Sequence, residues 1–344
     1  MSVGPRAFAP FAALLLLAAA PPQAGPPPVD PDLAASLEAL AAKDLRVASI
    51  AYRLQTAADA HCPHHSRLSG MIVQDASQYR GDLRPAVAAL FDLGAFPAVT
   101  GVVSGGPADR AGVRVGDQVA AVNGRSLVAG LPAVGSKKAE GRRFTAIVDR
   151  LDRAFNAGPV TLSLLRDGQP LSIRFSGREG CASDVQLDLS KDRNAGADGR
   201  TVTISQGIVD FAKSDDELAF VIAHELAHDI LGHRRFLDAT HTSRNGLFSG
   251  FGGNGKRIRE TERQADYYGL YMVAWAGYDV DAAADFWRRM GRADPLGSIF
   301  SDGTHPGNGS RVKAMEAEAA QIKADRAAGR PLIPDPAELK DGAR

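Results

Sequence analysis

The chain reads as an α+β protein: a mainly helical domain with a small edge-strand sheet, interrupted by an inserted β-rich unit. Three observations predict this. Apolar residues recur at helical spacing before residue 90 and again after residue 214. The stretch between, residues 93–176, breaks into short strands punctuated by glycine. A pair of alternating strands, Val185–Leu189 and Thr201–Ser205, then precedes the most apolar helical run. At 344 residues the chain is long enough for two compact units. Its 40 basic and 40 acidic side chains cancel, which excludes the basic stripe of a nucleic-acid binder, and 44% hydrophobic content excludes an acidic disordered chain.

Residues 1–24 combine Arg6, an apolar stretch from Phe8 to Ala20 and a small-residue exit, the plan of a signal peptide. The apolar stretch falls short of the roughly 20 residues that span a bilayer, with a retained inner-membrane anchor as the alternative. A periplasmic or secreted protein is therefore expected, and no other window is long and apolar enough to cross a membrane. An oxidising compartment makes Cys62 and Cys181 a candidate disulfide. The neighbouring His61, His64 and His65 raise a Cys/His metal cluster or a free thiol as competing readings, without the C-x-x-C spacing of structural zinc.

Residues 25–31 form a Pro-rich linker. Asp30-Pro31-Asp32 is a helix start signal, and Leu33, Leu37, Leu40, Leu45 and Leu54 carry a helix to about His61, before Pro63. Met71-Ile72-Val73 suits a strand, and a short helix is expected from Tyr79 to Leu90. These elements, residues 32–90, make the N-terminal part of the helical domain. In the insert, residues 91–177, Pro107 opens a short helix that Gly112 ends, and Gly116-Asp117 and Asn123-Gly124 make turns. A helix over Ser136–Asn156 and strands at Val160–Leu165 and Leu171–Phe175 follow. The run Val102–Gly124 resembles a PDZ domain of the bacterial protease type. That resemblance implies a groove in which a peptide adds as a strand, with Leu93-Gly94-Ala95 as the candidate loop for its terminal carboxylate; the other reading is that Leu93 and Gly94 merely begin a strand. Residues 178–330 form the core, with helices near Ser214–Arg235, Glu260–Ala276, Val280–Arg292 and Gly309–Ala328, and residues 331–344 a loose tail.

Chemistry concentrates in His224-Glu225-Leu226-Ala227-His228. Residues four apart share a helix face, so both imidazoles reach one ion, and Glu225 suits the general base for a water beside it. An apolar helix carrying two His and a Glu has no good structural explanation, because each would need a partner in a low-dielectric core. Catalytic zinc takes three protein ligands and keeps one position open. His233, five residues after His228, rotates off the ligand face. Glu262 in Glu260-Thr261-Glu262-Arg263-Gln264-Ala265-Asp266 is the candidate third ligand, with Asp266, one turn on, as the carboxylate that fixes a ligand imidazole, and Glu260 as substitute. Alternatively these charges form a solvated face.

The segment from Asp215 through His233, followed by Glu262-x-x-x-Asp266, resembles the HtpX-, BepA- and Oma-like zinc endopeptidases, gluzincins related to the CAAX prenyl endopeptidase. Asn194–Arg200 with the strand to Ser205 resembles that family's edge-strand segment, and Thr304-His305-Pro306 with Arg311 its late His-Pro…Arg element. The resemblance implies a zincin-type metallopeptidase domain binding one Zn2+ per chain, in a secreted branch carrying an inserted PDZ unit. It implies a transition-state oxyanion donor in His305 or Arg311. It also implies a substrate backbone added to Thr201, Val202 and Thr203. The residues Thr240–Lys256 suit either a flap over the cleft or a plain connection. The expected function is a zinc endopeptidase hydrolysing extended or misfolded polypeptides in the cell envelope, its PDZ unit selecting substrates or regulating. The alternative is a PDZ-dominated, chaperone-like envelope protein with a non-catalytic metal site.

Overall fold

A computed structural model describes residues 29–135, 138–242, 252–293 and 308–339. Helix α1 (Pro31–Ala57) begins where Asp30 accepts hydrogen bonds from the backbone N–H groups of Asp32 and Leu33, both at 3.0 Å, with proline in the first turn. The chain then enters β1 (His65–Leu68), turns at Ser69-Gly70, with Gly70 at φ 73°, and runs into β2 (Met71–Gln74). Helix α2 (Arg84–Phe91) starts later than expected, at Arg84-Pro85, because Asp75 caps a short 3-10 turn at residues 76–78 that delays it.

The insert follows with β3 (Ala98–Val102), α3 (Pro107–Ala111), β4 (Gln118–Val122), β5 (Arg125–Ser126), α4 (Gly141–Asn156), β6 (Val160–Arg166) and β7 (Gln169–Phe175). Its antiparallel sheet runs β2-β3-β4-β6-β7, with β5 paired to β4 across the Asn123-Gly124 turn, where both residues hold positive φ. Ile147, Leu151 and Phe155 of α4 cover this sheet through Val73, Val99, Val119, Leu162 and Leu164. The strand at Met71–Gln74, expected in the N-terminal part of the core, thus belongs to the insert's sheet. Sequence could not assign it, because its partner among the described residues, β3, begins only at Ala98.

The insert leaves the core and returns through one ribbon. Strand β8 (Arg178–Cys181) pairs antiparallel with β1, from Leu68 opposite Arg178 to His65 opposite Cys181. Cys62 and Cys181 form a disulfide at its base, their Cα atoms 5.4 Å apart.

The core continues with β9 (Asp184–Asp188), β10 (Ala195–Ala197), β11 (Thr201–Ser205), α5 (Gln206–Phe211), α6 (Asp215–Ile230), α7 (His233–Ala239), α8 (Gly252–Trp275), α9 (Ala282–Ala293) and α10 (Asn308–Ala327). Helix α6 is buried on nearly every face, packed among α1, α8, α9 and the three-stranded sheet, as its apolar sequence requires. The expected single helix to Arg235 instead breaks at Gly232, φ 67°, so α7 leaves in a new direction.

That small sheet has the order β10-β11-β9, parallel between β11 and β9 and antiparallel between β11 and β10. Thr201, Val202 and Thr203 are therefore in its central strand, their backbone groups committed on both sides. This corrects the expectation that they receive a substrate strand; among the described residues the outer strands are β10 and β9. Leu93-Gly94-Ala95 is corrected too. Leu93 is buried against Leu37, Val87 and Phe91, and the loop leads into β3, an interior strand. The edge strand beside β3 is β2, and the other edge is β7. The tail is not loose as far as Leu339: Trp275 Nε1 donates to the Leu332 carbonyl at 2.9 Å, and the Asp335 amide donates to Tyr267 Oη at 2.9 Å. Among the described residues no helix is long and apolar enough to cross a membrane.

Candidate active site

Helix α6 is fixed at its start by Ser214, whose hydroxyl accepts from the Glu217 amide at 3.3 Å, while Glu217 accepts from the Lys213 amide at 2.7 Å. Two turns on, His224 and His228 face α8. The helices meet closely because α8 carries Gly269 at the crossing: a Cβ there would lie 3.2 Å from the His224 backbone nitrogen. That approach brings Glu262 of α8 to both imidazoles. His224 Nε2 and His228 Nε2 stand 3.2 Å apart, and each lies 3.4 Å from one Glu262 oxygen.

These three groups could hold a metal ion. Donors about 2.0–2.1 Å from a tetrahedral zinc stand about 3.3 Å from one another, the spacing found here. Two ring nitrogens and a carboxylate converging at that range, in a setting where His224 and Glu262 are buried, require positive charge between them. With protein charges alone a proton answers that demand. Burial pulls the His224 pKa down, but the Asp266 and Glu262 carboxylates outweigh it and hold it up at about 10.

His224 Nδ1 lies 2.9 Å from Asp266 Oδ1, an ion-pair distance, though out of line for a straight hydrogen bond. Asp266 is gripped in turn by Arg311, whose Nε and Nη2 each donate to one of its oxygens at 2.7 Å. Burial would raise the Asp266 pKa; Arg311 and His224 more than offset it and keep the carboxyl below its usual range. Arg311 stacks 4.2 Å over the Trp287 ring and is itself buried, and two of its three guanidinium nitrogens serve Asp266. Its Nη1, through which it would serve the expected transition-state oxyanion, lies 3.7 Å from Glu262 Oε2, beside the three converging groups. Its companion His305, and most of Thr240–Lys256, lie outside the described residues.

His228 is oriented by a group the sequence reading had set aside. The break at Gly232 turns His233 back over α6, and its Nδ1 lies 2.9 Å from His228 Nδ1. His233 Nε2 contacts Gln264 Oε1 at 3.1 Å. Burial pushes the His233 pKa down to about 4, so the ring is neutral at ordinary pH. Glu260 sits apart from the three converging groups, paired with Arg263 at 2.7 Å, which keeps its pKa low. The Glu225 side chain is buried in the same helix turn as His224, near enough to Arg311 to favour the guanidinium charge.

A buried H-E-x-x-H helix whose third partner is a glutamate from the next long helix defines the gluzincin class of metal centre. Comparison with known proteins agrees. Residues 173–255 and 241–319 match Peptidase family M48, and residues 98–136 match a PDZ domain. Two curated relatives share the core. A mitochondrial metalloendopeptidase OMA1 from Schizosaccharomyces pombe is 32% identical over 146 residues, 36% of this chain and 43% of that protein. The protein of the same name from Arabidopsis thaliana is 30% identical over 136 residues, 33% of this chain and 27% of its own length. The chain thus spans less than half the length of either relative. Residues 173–319 are thus similar to peptidase family M48, and residues 98–136 to a PDZ domain.

These relatives overturn the expected periplasmic or secreted location, since both are mitochondrial by name. The leader-like residues 1–24, on which that expectation rested, lie outside the described residues.

Proposed function

We propose that the chain is a zinc-dependent endopeptidase acting on extended or misfolded polypeptide. The observation that carries this is the convergence of His224, His228 and Glu262 on one point, with Glu225 on the same buried helix. His224, His228 and Glu262 would hold one zinc ion, with Asp266 orienting His224. Bound there, zinc supplies a Lewis acid for the scissile carbonyl and for water. Glu225 takes the proton from the attacking water and delivers it to the leaving amine. Strand β10, an outer strand among the described residues that packs against α6, receives the substrate backbone as an added strand, which selects chains that can be extended.

The PDZ unit, with β2 as its edge strand, serves substrate selection or regulation. Its peptide groove is the one beside β2 and α4, of about 250 Å³, lined by Gly70, Met71 and Val73 on one side and Phe144, Val148 and Leu151 on the other. Helix α1 and strand β9 of the core form its far wall, so an occupant touches both units.

The test is hydrolysis of an unfolded casein-type substrate by purified protein, with and without chelator. Glu225→Gln should retain one zinc and lose activity by at least about 100-fold. Glu262→Gln should lose zinc as well. A wild type that holds zinc yet cleaves no unfolded chain would favour the binding-protein reading instead.

A further inference from the structure

We propose that His233 is the positioning residue for His228, holding its ring with the proton on Nδ1 and the Nε2 lone pair turned toward His224 and Glu262. The direction of the first hydrogen bonds in the chain follows from its outer end, and that of the last from the site. Glu260 is pinned by Arg263, which donates through Nη2 to Oε1 at 2.7 Å and through Nε to Oε2 at 3.2 Å. A carboxylate only accepts. Gln264 must therefore turn its amide nitrogen to Glu260, which it does at 3.1 Å, leaving its Oε1 aimed at His233. An amide oxygen only accepts, so His233 Nε2 carries the proton across the 3.1 Å contact. The 2.9 Å contact between the two Nδ1 atoms holds one proton, and because His228 Nε2 faces His224 and Glu262 as a lone pair, that proton belongs to His228 Nδ1 and His233 Nδ1 accepts it. One tautomer remains for His228, the one that leaves Nε2 able to bind a cation.

The two imidazoles are thus fixed by different chemistries. Asp266 faces His224 with a charge that Arg311 balances. His233 faces His228 with a neutral lone pair, backed by an amide, and both His233 and Gln264 are fully buried. A second buried carboxylate is avoided, and the ring is still held. From Gln264 inward each donor in this line meets one acceptor, so removing one link frees the ring above it to rotate or to change tautomer. Glu260, Arg263 and Gln264 lie on the same helix as Glu262, so α8 supplies both a third donor and, through Gln264, the support for the second.

The proposal rests on the metal reading of the site given above. Its test is zinc affinity, measured by competition with a chromophoric chelator, together with the 15N shifts of histidine-labelled, zinc-loaded protein. His233→Phe removes the acceptor and should weaken zinc binding about 10- to 100-fold. His233→Asn places its Oδ1 where Nδ1 stood and should restore affinity to within about threefold of wild type, a rescue that lost packing alone would not predict. Gln264→Leu should weaken binding by a smaller factor, and it carries the test if His233→Phe fails to fold. In wild type the His228 proton should be found on Nδ1. An unchanged zinc affinity in folded His233→Phe or in Gln264→Leu overturns the proposal. So does a His233→Asn protein as weak as His233→Phe, or a His228 proton on Nε2. Zinc binding without peptide hydrolysis would refute the peptidase reading and leave this one standing; hydrolysis with unaltered variant affinities would do the reverse.

Discussion

Replacing Gly269 with alanine tests whether the crossing of α6 and α8 builds the site. The new Cβ would lie 3.2 Å from the His224 backbone nitrogen and 3.4 Å from both the Ala223 carbonyl carbon and His224 Cα. These are backbone atoms of a helix buried on nearly every face, so the neighbour gives way only if the two helices separate by a few tenths of an ångström. Overpacking of this kind costs about 1–3 kcal/mol. Alanine in a helix interior returns up to about 1 kcal/mol relative to glycine. The net is a destabilisation of about 1 kcal/mol, a fall in Tm of about 2–4 °C for a domain of this size. Gly309→Ala, in α10, is the control: nothing lies within 4 Å of its Cβ, so it should not lower Tm. The separation also draws Glu262 away from imidazoles now 3.4 Å distant, so zinc affinity should fall about tenfold in Gly269→Ala alone. Thermal melts and chelator competition on the two variants decide it. A Gly269→Ala protein as stable as Gly309→Ala, with wild-type zinc affinity, would refute the claim that close helix approach sets the donor spacing.

Arg311→Met strips the balancing charge from buried Asp266 and should destabilise by about 3–5 kcal/mol, with part recovered in Arg311→Met/Asp266→Asn; an unchanged melt would place that pair outside the stability of the core. Because Leu68 pairs with Arg178, residues 69–177 should be replaceable by Asn-Gly, closing β1 and β8 as a hairpin. That protein should cleave short peptides at near wild-type rates but choose differently among unfolded proteins, and failure to fold would show the insert to be structural. Asp152, on α4, has its pKa raised to about 6, by burial first and then by repulsion from Asp184 and Asp149. The folded state therefore binds more protons than the unfolded one between about pH 4 and 6, and stability falls as pH rises through that window. Asp152→Asn should raise Tm at pH 7, with the gain vanishing below about pH 4, as melts across that range would show.

Local signals carried the helices and the ligand motif. Asp30-Pro31, Pro107 with Gly112, and Asn123-Gly124 each act through the backbone of a few residues, and the structure uses them as the sequence suggests. His224 and His228 were legible for the same reason: one helical turn fixes their relation. Glu262 needed a separate argument, that zinc wants a third donor, because nothing in its own sequence says which helix α8 packs against. The errors fall where the relation is not local. Met71–Gln74 is an edge strand of the insert only because β3 pairs with it, and Thr201–Ser205 is central only because β9, many residues earlier, runs parallel beside it.

His233 shows the same limit at the scale of one turn. On an unbroken helix, a residue five positions past His228 points elsewhere, which excluded it as a ligand and left it without a role. Glycine at residue 232, in the left-handed region, ends α6 and reverses that direction, so His233 returns to meet His228 from outside the donor set. The signal was present, since a glycine immediately after an apolar helix is a stop. What the sequence lacks is the other end of the line, the Gln264 carbonyl on a helix some thirty residues later, and only the packing of α8 against α6 supplies it. A ligand set can therefore be guessed from spacing, whereas the residues that fix which nitrogen faces the ion follow from the fold.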